Sequence, residues 1–188
     1  MHKPSYYVIN GITLYRLLIA PVLVYLIIAG NADVFKWLLP ISFFTDLIDG
    51  YLARRYKVTS ILGSRIDSVA DDLTIVAAIV GVFVLKPAFV REQIVLIVIM
   101  LVLYLIQLIS ALIRYKKISS FHTYSAKVAA ILQGVFLILI FLWPGLPAIF
   151  FYLAAISTLI DLAEEIVLVY LLPDWQTDVK GIYWLLKG

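Results

Sequence analysis

The chain has 188 residues, of which 64% are hydrophobic and 14% charged, with a mean hydropathy of +1.05. Soluble domains carry about 45–50% apolar and about 25% charged residues, so this composition excludes an ordinary soluble domain and predicts an integral membrane protein. A net charge of +3 is weak by itself and no nucleic-acid partner is expected, while the lack of Cys excludes disulfides and thiolate metal sites.

Met1-His2-Lys3-Pro4 is not a basic region leading into a cleavable apolar stretch, so no signal peptide is expected and the first span serves as its own insertion signal. Six hydrophobic segments follow. The first runs from about Gly11 to Ala29 and ends at the turn-like Gly30-Asn31-Ala32-Asp33. The second covers about Val34 to Arg54, with Pro40 expected to kink its first half. The third starts near Gly63 and continues to Leu85; the fourth, Ile94 to Ile113, is broken by Gln107 and Ser110. The fifth runs from about Ser125 to Trp143, and Pro144-Gly145-Leu146-Pro147 turns the chain into the sixth, about Ala148 to Leu172. Each is near the ~20 residues that cross a bilayer core. The remainder, 173–188, holds Trp175, Tyr183 and Trp184 and reads as an interfacial amphipathic tail. With no repeat or linker, residues 1–188 are expected to form a single domain.

Six spans leave both termini on one side. Twelve of the fifteen Lys and Arg residues then fall on that side, among them Arg16, Arg54, Arg55, Arg65, Arg114 and Lys127. The other side receives Lys36, Lys86 and Arg91. By the positive-inside rule the termini and the second–third and fourth–fifth loops are cytoplasmic.

Four carboxylates break the lipid-compatible pattern. Asp46, Asp49, Gly50, Ala53 and Arg54 fall at i, i+3, i+4, i+7 and i+8, one stripe of a helix; Gly63, Asp67 and Asp71 form a second. The short connection between them lets the two helices pack antiparallel, with both stripes facing at the cytoplasmic end. Each acid in a membrane costs about 2.5–3.5 kcal/mol on insertion scales, which marks it as a functional candidate. Converging acids repel unless a cation sits between them. Oxygen ligands favour Mg²⁺ or Mn²⁺ over zinc, and two ions are expected because paired metals clamp the attacking and leaving oxygens of a phosphoryl displacement. Arg54 and the basic loops point to a phosphate-bearing substrate. The bland alternative makes these acids partners of nearby Arg or helix caps. Asp72 lies off the stripe and is given only a flanking charge.

The run Asp-x2-Asp-Gly-x2-Ala-Arg-x8-Gly-x3-Asp-x3-Asp resembles the signature of the CDP-alcohol phosphatidyltransferase family without a mismatch. The six-span organisation also resembles that family. The resemblance implies transfer of a phosphatidyl group from CDP-diacylglycerol to an alcohol with release of CMP, by a metal-dependent homodimer in a bacterial inner membrane with its active site facing the cytoplasm. It implies that Asp46, Asp49, Asp67 and Asp71 bind metal and that Asp71 is the general base. It gives Asp49, Gly50, Ala53, Arg54 and Gly63 to the CDP moiety.

Two stretches bear on the acceptor. Asn10-Gly11-Ile12-Thr13-Leu14-Tyr15-Arg16 resembles the Asn-x2-Thr-x2-Arg stretch of bacterial phosphatidylglycerophosphate synthases. Read from the residues alone, Asn10 caps the first helix and Arg16 snorkels or pairs with an Asp. Ser125-Ala126-Lys127-Val128-Ala129-Ala130-Ile131-Leu132-Gln133 resembles the Gly-Lys-x-Lys-Thr-x2-Gln stretch of the same synthases. Lys127 and Gln133 align, whereas Ala129 and Ala130 replace the second Lys and the Thr. Arg114 and Lys127 are thus candidates to bind an acceptor phosphate, with glycerol 3-phosphate the expected acceptor and inositol phosphate, phosphatidylglycerol or serine the alternatives. Asp161, Glu164 and Glu165 have no counterpart in the resemblance and are expected to pair with Arg16, Arg114 or Lys127, or to shape the acceptor pocket. His122 reads as an interfacial loop residue. Outside enzymes, an ion-coupled small transporter would use the Asp cluster as a cation site, and its expected internal repeat is missing.

Overall fold

The structure is a computed structural model describing residues 4–56, 61–118 and 121–187. Side chains at 4–10, 12–13, 47, 49–51, 53–54, 56, 61–65 and 67–68 fall outside the described residues. Among the described residues the chain folds into seven helices and no strand. They are α1 (Pro4–Ile28), α2 (Ala32–Tyr56), α3 (Ile61–Leu85), α4 (Pro87–Tyr115), α5 (Tyr124–Leu142), α6 (Ala148–Leu171) and α7 (Ile182–Lys187).

Local chemistry sets the helix ends. Gly30 takes φ +67°, and Asn31 Oδ1 accepts the Val34 N–H at 3.4 Å, capping α2. Pro87 opens α4, where a missing N–H costs nothing and the ring presets φ. Thr123 Oγ1 accepts the Ala126 N–H at 3.0 Å and caps α5, and Gly145 makes the turn before α6 at φ +73°. Two expectations shift. α1 begins at Pro4, so Asn10 lies inside the helix rather than at its cap, because Pro4 provides the earlier start. α4 starts well before Ile94: hydropathy marks the lipid-matched part of a helix, whereas Arg91, Glu92 and Gln93 remain helical beyond it.

The helices group into two units. In the first, residues 1–89 with 140–144, α1 packs on α2 and α3. Leu23 and Ile27 of α1, Phe35 and Leu39 of α2, and Ala70, Ala77 and Ala78 of α3 are buried there. The small α3 residues let the helices approach closely. A Cβ on Gly81 would stand 2.7 Å from the Phe35 ring, which itself meets Phe141 edge-on at 4.9 Å. The Ser42 and Thr74 hydroxyls lie 3.4 Å apart, and Thr74 also bonds back to the Ala70 carbonyl.

In the second unit, residues 90–139 with 145–188, Ala111, Phe121, Leu168, Val169 and Leu172 form a buried cluster. Tyr115, Val179 and Ile182 pack on it, so the α4 end, the loop after it, the α6 end and the tail share one core. Trp175 Nε1 donates to the Ile118 carbonyl at 3.0 Å, and the Tyr124 and Trp184 rings meet at a tilt with centroids 4.9 Å apart. The predicted tail is therefore folded back, with Tyr183, Trp184, Leu185 and Leu186 exposed.

Large apolar side chains face outward along the helices, including Leu18, Tyr25, Trp37, Phe44 and Ile113. By length and composition α4 and α5 are apolar enough to cross a membrane. α6 is longer than α5 but carries three acids in its C-terminal half.

Candidate active site

The first unit holds the carboxylate stripes. Asp46 on α2 and Asp71 on α3, each about a third exposed, meet at one guanidinium. Arg16 of α1 is 1% exposed; its Nη1 lies 2.8 Å from Asp46 Oδ1, and its Nη2 contacts Asp71 Oδ1. Burying an Arg without a partner is strongly unfavourable, and a rigid fork of donors is suited to bridging two carboxylates. Of the two readings of Arg16 from the residues alone, pairing with Asp is the one observed. Asp49, Gly50, Ala53 and Arg54 occupy α2 and Gly63 and Asp67 occupy α3, but their side chains lie outside the described residues. Asp72 is exposed. Chemically, the described part of the site is a set of carboxylate oxygens closed around a positive centre.

The second unit holds the acids of α6 and both acceptor candidates. Asp161 Oδ1 accepts from Thr123 Oγ1 at 3.3 Å and from Ser125 Oγ at 3.1 Å. Ser125 Oγ also reaches Glu164 Oε2, so its one proton serves one carboxylate at a time. Glu164 Oε1 accepts the Ile182 N–H at 2.8 Å, and Gln107 Nε2 donates to Glu165 Oε2 at 2.7 Å. Among the described residues of this unit, the expected pairing of these acids with Arg114 or Lys127 does not form. Hydroxyl, amide and backbone donors take the place of cations, and Arg16 is committed to Asp46 and Asp71. Sequence reasoning missed Thr123, Ser125 and Gln107 in these roles; the available signal was Gln107 interrupting the apolar run of the fourth segment.

Arg114 donates from Nε and Nη2 to the Leu172 carbonyl at 3.3 and 3.1 Å, and the Tyr115 hydroxyl lies 2.9 Å from both the Val169 and Leu172 carbonyls. Together they satisfy carbonyls left open at the C-terminus of α6. Lys127 is exposed in the first turn of α5, its Nζ 5.3 Å from the Tyr124 ring centroid. His122 is an exposed loop residue at φ +52°.

A family model described as CDP-alcohol phosphatidyltransferase matches residues 6–160, ending one residue before Asp161. The CDP-diacylglycerol–glycerol-3-phosphate 3-phosphatidyltransferase of Haemophilus influenzae is 38% identical over 72 residues, 37% of this chain and 39% of that protein. The protein of the same description from Rickettsia typhi is 32% identical over 69 residues, 35% of this chain and 39% of its own. A cardiolipin synthase (CMP-forming)/mitochondrial hydrolase fusion protein of Schizosaccharomyces pombe is 40% identical over 62 residues, 33% of this chain and 10% of that protein. The chain thus spans about two fifths or less of the curated relatives it matches. No solved structure matches.

Proposed function

This chain belongs to the CDP-alcohol phosphatidyltransferase family, and on that premise we propose that it transfers a phosphatidyl group from CDP-diacylglycerol to glycerol 3-phosphate, releasing CMP. The observation that carries this reading is the meeting of Asp46 and Asp71, from two helices, at one buried positive charge. The glycerol 3-phosphate acceptor is supported by the relatives named for that substrate and by the partial match around Lys127 and Gln133.

The donor set fits a divalent ion: carboxylate oxygens from α2 and α3 already converge on a cation, and hard oxygen ligands suit Mg²⁺ or Mn²⁺. Asp46, Asp49, Asp67 and Asp71 would hold it, with two ions as the working number. Bound there, such ions would neutralise the diphosphate and the departing CMP. Asp71 takes the proton of the acceptor hydroxyl as that oxygen attacks the phosphorus bearing the diacylglycerol. The bond from this phosphorus to the bridging oxygen breaks, and CMP leaves with the bond's electron pair. By the match to the family signature, Gly50, Ala53, Arg54 and Gly63 would accommodate the CDP moiety. Lys127, exposed at the start of α5, binds the acceptor phosphate; Arg114 contributes only the donors left over from Leu172.

The family resemblance implies a homodimer in a bacterial inner membrane, and the lopsided Lys and Arg distribution supports α1–α6 as six spans with both termini cytoplasmic. The tail at 173–188 lies at the interface, presenting the exposed aromatics of α7. The test is an acceptor panel: purified protein, CDP-diacylglycerol and Mg²⁺ or Mn²⁺, with candidate alcohols offered singly and products identified by mass. Phosphatidylglycerophosphate is expected. Turnover with inositol phosphate, serine or phosphatidylglycerol, and none with glycerol 3-phosphate, would overturn the acceptor.

A further inference from the structure

Arg16 does more than neutralise one acid. Among the described residues it is the only charged side chain so fully enclosed, and its two terminal nitrogens go to carboxylates on two different helices. α1 packs against both of those helices, so a single fork from α1 ties the α2 and α3 stripes together at the site. The guanidinium therefore sets a positive charge inside the fold, between the two helices.

We propose that Arg16 is a positioning residue acting as a built-in counter-cation. It holds the Asp46 and Asp71 carboxylates face to face in the metal-free protein and competes with a divalent ion for the same oxygens. This rests on the reading of the aspartates as metal ligands. Without Arg16, the facing acids would repel in the metal-free state, and only an external cation could restore the arrangement. With Arg16, the fold needs no ion to keep the site assembled, and each oxygen engaged by the guanidinium is less available to metal. The two cations are therefore negatively coupled, and the coupling is reciprocal: whatever Arg16 subtracts from metal affinity, metal subtracts from the Arg16 contact.

Mn²⁺ alone is the probe. Wild type, Arg16→Gln and Arg16→Lys are compared in detergent by thermal unfolding in EDTA and in saturating Mn²⁺, and Mn²⁺ affinity is read from the paramagnetic resonance of the free ion. Arg16→Gln should melt lower than wild type in EDTA, gain more in Tm from Mn²⁺, and bind Mn²⁺ more tightly, on the order of tenfold. Arg16→Lys, which keeps the charge without the fork, should recover part of the melting temperature in EDTA. Equal or weaker Mn²⁺ binding by Arg16→Gln overturns the proposal and leaves the metal site standing. Failure of wild type to bind Mn²⁺ overturns the metal reading and the proposal with it. If Arg16→Gln is recovered only in Mn²⁺ and unfolds on stripping, the proposal holds; if it fails to fold in Mn²⁺ as well, Arg16 is a plain structural tie.

Discussion

Gln107 Nε2 donates to Glu165 Oε2 at 2.7 Å, joining α4 to α6 through two groups that lipid would exclude. Gln107 is 3% exposed and cannot turn to solvent without moving its helix, while Glu165 is half-buried. A buried acceptor stripped of its donor costs about 1–3 kcal/mol, whereas removing both partners is far less costly. Gln107→Leu should therefore lower the unfolding temperature in detergent by several degrees, about 2–4 °C per kcal/mol at this size. The double variant Gln107→Leu with Glu165→Leu should recover most of that loss. Equal losses in the single and double variants would show that the pair is not coupled.

Arg114 and Lys127 were paired as acceptor candidates by sequence, and their surroundings separate them. Arg114 caps α6 through Leu172, while Lys127 stands exposed in the first turn of α5. A charged hydrogen bond contributes about 1.5–3 kcal/mol, or roughly 10–100-fold in affinity. Lys127→Gln should raise KM for glycerol 3-phosphate within that range, with kcat and thermal stability little changed. Arg114→Gln should instead reduce the unfolding temperature with a smaller change in KM. Steady-state kinetics alongside melting curves distinguish the two.

Gly181 connects the tail to α6. At φ +134° it occupies backbone space that side chains rarely adopt, and an added Cβ would stand 2.7 Å from Glu164 Oε1, the atom that accepts the Ile182 N–H. Gly181→Ala should loosen the tail at a cost of about 1–3 kcal/mol. Faster hydrogen exchange at 182–187, with unchanged exchange across α1–α3, is the expected readout.

Much of this was legible because the relevant signals are local. Gly30-Asn31 and Pro144-Gly145 break the helices wherever they occur, so segment ends followed from a few residues each. Asp46 and Asp71 were placed on facing stripes because a spacing of three or four residues fixes a helix face. The partners of Asp161, Glu164 and Glu165 were not legible. Their donors come from Gln107, Thr123, Ser125 and the tail backbone, distant in sequence, and nothing local ranks a hydroxyl above a lysine as the partner of a carboxylate. The contact of Arg114 with the Leu172 carbonyl was not legible for a related reason: a cation at a helix end reads the same whether it binds a phosphate or a helix C-terminus.

The most direct test of phosphatidyl transfer at the aspartate stripes is CMP release from CDP-diacylglycerol and glycerol 3-phosphate by wild type and Asp71→Asn, in Mn²⁺ and after EDTA. A positioned base accounts for about 10²–10⁴-fold in rate. Wild type should release CMP only with the ion present, and Asp71→Asn should lose at least about a hundredfold of that rate while still binding CDP-diacylglycerol. CMP release that survives EDTA, or an Asp71→Asn variant as fast as wild type, would contradict it.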